Sequence, residues 1–101
     1  MKIHIVGDSF TVDTFRLIGI QGVVAEDGEA AKVRIESFLS ADDVGIVLVS
    51  ETLADQLGDT FERYMERRSL PLILSLPDRV TRGKGAEKLA ALIESSIGIR
   101  F

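Results

Sequence analysis

The 101-residue sequence contains no cysteine and a single histidine. The missing cysteines exclude disulfides, thiolate nucleophiles, iron–sulfur clusters and thiolate zinc sites together, and their absence fits a cytoplasmic protein. His4 alone cannot make a metal site and has no evident acid–base partner in the sequence, so a structural role is expected for it. Long apolar runs are also missing: stretches such as Ile46-Val47-Leu48-Val49 fall far below the ~20 residues that span a bilayer. Membrane association is therefore expected only through a partner. Asp8 follows the N-terminus too closely for a signal peptide. There is no basic excess either. Twelve Lys and Arg against sixteen Asp and Glu give a net charge of −4, which argues against nucleic acid as a partner.

The sequence does hold enough apolar residues for one core. A hydrophobic fraction of 46% with 28% charged residues describes one soluble globular domain. Apolar, β-branched runs recur at 3–6, 22–25, 44–49 and 70–76. Each is continuous, as parallel strands covered on both faces require. Helical periodicity fills the intervals, and a further helical segment follows the last run. The expected fold is α/β, with a Rossmann-like or receiver-like four-stranded parallel sheet in the order 2-1-3-4, flanked by helices. Residues 1–77 form the sheet region. Residues 78–101 form a glycine-containing hinge and a C-terminal helix within the same domain.

Local signals place the helices. Ser9 is expected to cap the first, which Gly19 ends, and Asp27-Gly28-Glu29 opens the second. Ala31, Ile35, Phe38 and Leu39 form the buried stripe of the second helix. Ser50-Glu51 starts a third segment with an apolar stripe of Leu53, Leu57, Phe61 and Tyr64 or Met65, and Gly58 is placed to split it in two. The second strand is short and apolar, and as an edge it needs covering.

In such folds the turn after the first strand commonly carries chemistry. Here it reads Gly7-Asp8-Ser9, with one glycine where a dinucleotide fingerprint needs three. A receiver site would need an acidic pair after the first strand and an aspartate ending the third, which instead ends Val49-Ser50-Glu51. Helix capping is the expected role of this turn. Arg82-Gly83-Lys84-Gly85 lacks the spacing and the hydroxyl residue of a P-loop and reads as a basic hinge. Glu62 to Arg68 carries both signs of charge, as either a solvated face or an electrostatic docking surface. No nucleophile–base pair, cofactor site or metal set is evident, and no cofactor is expected.

Apolar surplus is the more informative feature. Phe10, Val12, Phe15, Leu17 and Ile18 cannot all face one sheet from one helix, and Phe10 and Leu17, seven apart, define a second direction. On the last helix, Ala86, Leu89, Ala90, Ile93 and Ile97 form a stripe, and Leu92, Ile99 and Phe101 add apolar surface beyond it. This surplus is buried either at home or on a partner.

The order of Phe15-Arg16-Leu17-Ile18-Gly19-Ile20, Glu26-Asp27-Gly28-Glu29, Gly45 to Glu51, Leu70 to Pro77 and Ile97-Gly98-Ile99 resembles the F subunit of the V/A-type ATP synthases. That family commonly shows an F-R-L-A-G run where this chain has Ile18 in place of the alanine. The resemblance implies a non-catalytic central-stalk component, cytoplasmic and peripheral to the membrane. It implies binding to the coiled-coil D subunit of the rotor shaft, within a catalytic head built from the A and B subunits. A role in coupling or regulating ATP hydrolysis or synthesis with ion transport is implied as well. The residues expected at the contact are Phe15, Arg16, Leu17 and Ile18, the edge residues Val23 and Val24, Arg82 and Lys84 in the hinge, and Leu89, Leu92, Ile93 and Ile97 on the last helix. The rival expectation is a stand-alone receiver-like or nucleotide-binding signalling domain using Asp8, Ser9, Ser50 and Glu51.

Overall fold

The computed structural model describes residues 2–77. The chain runs β1 (Lys2–Gly7), α1 (Ser9–Arg16), β2 (Gln21–Val24), α2 (Gly28–Leu39), β3 (Val44–Ser50), α3 (Glu51–Leu57), α4 (Asp59–Met65) and β4 (Leu72–Leu76). The four strands form one sheet in the order β2-β1-β3-β4, and every pairing is parallel. The α/β fold and the strand order are those expected from the sequence. The expected hinge and last helix lie outside the described residues.

The position of each helix follows from the strand order. The chain steps from β1 outward to β2, then returns across β1 to β3 and on to β4, so right-handed crossovers place α1 on one face and the later helices on the other. Two hydrophobic clusters match that division. Ile3, Ile5, Ile46, Leu48 and Leu76 of the sheet join Val12 and Phe15 of α1. Val6, Val47, Val49 and Ile73 join Ala31 and Ile35 of α2, Leu53 and Ala54 of α3 and Phe61 of α4. Successive residues of β1 and β3 thus serve opposite faces, and β3 is buried along its whole length.

The helix boundaries show local physics at work. The cap of α1 is Asp8, not Ser9: its Oδ1 accepts the Thr11 N–H at 2.7 Å, while Ser9 is exposed in the first turn. An aspartate satisfies an orphan N–H as well as a serine does, so the cap falls one residue earlier than expected. Asp27 caps α2 as expected, accepting the Ala30 N–H at 2.9 Å. Ser50 occupies the cap position of α3 without a side-chain cap bond. Gly58 separates α3 from α4 with φ 56° and ψ −125°, a conformation that disfavours any side chain. In the α4 stripe Tyr64 is partly buried, whereas Met65 is 45% exposed. β4 begins at Leu72, just after Pro71, which lacks the N–H a strand interior needs.

Candidate functional site

The end of α1 delivers the chain to β2 at the edge of the described sheet, and four adjacent residues there divide sharply. Phe15 is fully buried against Ile5, Ile20 and Ile46 of the core. Its expected contact role is corrected on that ground: its side chain is a core element that fixes its neighbours in place. Arg16 points outward in the last helical turn. Leu17, the C-cap residue, is 87% exposed. Ile18 is partly buried against the core. Phe10, seven residues before Leu17, is 54% exposed, so the second apolar direction expected on this helix exists.

The chain then turns at Gly19, φ 89°, and enters β2. Among the described residues this strand pairs on one side only, through His4↔Gln21, Ile5↔Gly22, Val6↔Val23 and Gly7↔Val24. Val23 is partly buried on the α2 side, and Val24 is 48% exposed. α1 crosses close to the strand: a Cβ on Gly22 would lie 3.0 Å from the Ile5 carbonyl oxygen and 3.2 Å from Val12 Cγ1. Only glycine allows that approach without displacement.

A shallow groove of about 350 Å³ opens beside this edge, lined by His4, Arg16, Gln21, Gly22, Val23 and Phe38. The structure thus brings Arg16 and Val23 together, and it adds four residues that sequence reasoning did not place at a contact. His4 lies tilted against Phe38, ring centroids 4.6 Å apart. Burial lowers the His4 pKa below its ordinary value. Asp43 pulls it upward by less, and Lys2 adds to the lowering. The neutral imidazole is thus the favoured form in this wall. The signal for His4 was its alternation with Ile3 and Ile5. Its contact with Phe38, 34 positions along the chain, had no sequence signature.

The turn after β1 has a different character. The Asp8 carboxylate caps α1, Ser50 is buried at the end of β3, and Ser9 and Glu51 are exposed. Among the described residues no group of three or more His, Asp or Glu is arranged to hold a metal ion. Arg82, Lys84, Leu89, Leu92, Ile93 and Ile97 lie outside the described residues.

The architecture of the described residues is that of a small doubly wound α/β domain with an exposed helix end beside the edge strand β2. A model of the ATP synthase (F/14-kDa) subunit family matches residues 3–93. The chain is 35% identical to the F subunit of the A-type ATP synthase of Pyrococcus abyssi, over 100% of its own length and 98% of that protein. It is 32% identical to the corresponding A-type F subunit of Methanothermobacter thermautotrophicus, over 99% and 95% of the two chains. It is 29% identical to the F subunit of the V-type ATP synthase of Clostridium botulinum, over 99% and 96%. The chain belongs to the F-subunit family of the V/A-type rotary ATP synthases.

Proposed function

We propose that this chain is a non-catalytic central-stalk subunit that docks on the coiled-coil D subunit of the rotor and helps couple or regulate ATP turnover with ion transport. Family membership supports the complex. The observation that carries the docking role is the pairing of a buried Phe15 with an 87% exposed Leu17 two residues later. Leaving a leucine in water forgoes roughly 1.5–3 kcal/mol that burial would return, and a partner surface recovers it. Arg16, Leu17, Ile18, Val23 and Val24 form the proposed contact. Arg82, Lys84, Leu89, Leu92, Ile93 and Ile97 extend the proposal into the C-terminal segment.

In this reading the catalytic head, built from the A and B subunits, encloses the shaft, and the chain meets the membrane only through the complex. Among the described residues no helix is long and apolar enough to cross a bilayer. Co-expression with the shaft subunit tests the proposal: a stable one-to-one complex and altered ATPase activity on its addition to the head are expected. Leu17→Glu should weaken assembly at least tenfold. Full affinity in this variant would remove the α1 end from the contact, and failure of the unmodified chain to bind the shaft would overturn the function.

A further inference from the structure

The edge of β2, unpaired among the described residues, has a backbone polarity that side-chain exposure does not reveal. In a parallel pair, alternate residues of an edge strand direct their N–H and C=O toward the neighbouring strand, and those between direct them away. The Ala25 N–H donates to the Gly7 carbonyl at 2.9 Å, which sets Gln21, Val23 and Ala25 facing β1. Gly22 and Val24 therefore present their N–H and C=O to the outside. Helices satisfy their backbone internally, so two outward peptide groups are matched best by another extended chain.

Three further features of the edge agree. Natural edges are usually guarded by charge, proline or a bulge, yet Gln21 to Ala25 contains no charged residue and no proline. The groove beside it offers apolar walls in Val23 and Phe38. Arg16 stands at the same groove, exposed and without an ion pair among the described residues.

We propose that β2 is a strand acceptor: in the assembled rotary complex an extended segment of a partner subunit pairs with Gly22 and Val24. Its apolar side chain lies against Val23 and Phe38, and a carboxylate lies beside Arg16. Alternating apolar and acidic residues are the chemistry this edge selects, since strand addition takes affinity from the main chain and specificity from alternate side chains. The inference rests on the docking reading above and adds a mode of contact that a coiled-coil surface alone would not supply.

Residue-resolved amide hydrogen exchange, comparing the intact complex with the isolated chain, tests it. Exchange at Gly22 and Val24 is expected to slow at least tenfold in the complex. If the chain co-purifies with the shaft while these two amides exchange as in the isolated chain, strand addition is overturned and docking stands. If the chain fails to join the shaft, the docking reading itself fails. Slowing in the isolated chain that grows with its own concentration would assign the edge to a second copy and overturn the proposal. Val24→Pro removes one outward N–H and spares the β1 ladder, and it should abolish the slowing at Gly22. Should that variant not fold, Arg16→Glu at an exposed position carries the same test, with an expected loss of most of the slowing. Unchanged slowing in Arg16→Glu would remove the carboxylate from the proposal.

Discussion

The Oε1 atom of Gln56 accepts the N–H of Gly28 at 2.7 Å across 28 residues of sequence, so α3 supplies part of the cap of α2. Asp27 satisfies the Ala30 N–H of the same helix start. Gly28 is buried, and a Cβ on it would lie 3.1 Å from Gln56 Cβ, so the two helices meet here at close range. Gln56→Ala leaves the Gly28 N–H without its acceptor, at an expected cost of about 1–3 kcal/mol. Urea unfolding should show a lower midpoint with an unchanged slope, and an unchanged midpoint would mean that water replaces the amide oxygen at no cost.

The start of α1 gives a second test, because two candidate caps sit side by side. Asp8→Ala removes the acceptor of the Thr11 N–H and should cost about 1 kcal/mol, while Asp8→Asn should retain most of the stability. Ser9→Ala, at an exposed position in the first helical turn, should change stability by less than about 0.5 kcal/mol. The reverse ranking in thermal unfolding would return the cap to Ser9.

Phe15 and Leu17 should separate folding from assembly. Phe15→Ala opens a cavity among Ile5, Ile20 and Ile46 and should destabilise the chain by about 3–5 kcal/mol. That is a large share of the roughly 5–15 kcal/mol that holds a small domain together. Leu17→Ala, at 87% exposure, should leave the unfolding midpoint nearly unchanged and weaken binding to the shaft subunit. A large stability loss in Leu17→Ala would show that the leucine supports the fold.

The strand order was legible because continuous β-branched runs and the intervening helical periods leave few parallel topologies. Gly58 was legible as a break for a related reason: a glycine within an apolar helical stripe costs stability unless the backbone uses its freedom, and φ 56° is that use. The apolar surplus on α1 was readable in the same way, from periodicity alone. Its assignment among Phe15, Leu17 and Ile18 was not, because the helix ends at Arg16 and the residues beyond no longer follow the helical period. Contacts between distant segments left no pattern to read. Gln56 with Gly28, His4 with Phe38 and the groove beside β2 depend on which helix ends the sheet brings together.

The setting of His4 yields a pH dependence whose sign is fixed by its causes. The imidazole leans on Phe38, and burial is the largest influence lowering its pKa from 6.5. The opposing pull of Asp43, itself paired with Lys2 at 3.4 Å, is weaker. With the folded-state pKa below the unfolded one, the unfolded chain binds more protons as pH falls through about 6.5, so stability falls with it. Above that range both states hold a neutral imidazole and the contribution is flat. Urea midpoints should therefore be level between about pH 7.5 and 8 and decline toward about pH 5.5. His4→Phe keeps an aromatic ring against Phe38 without a titrating nitrogen, and it should flatten the decline over this window. Equal slopes in the two proteins between about pH 5.5 and 7 would show that His4 stays hydrated enough to protonate freely in the fold.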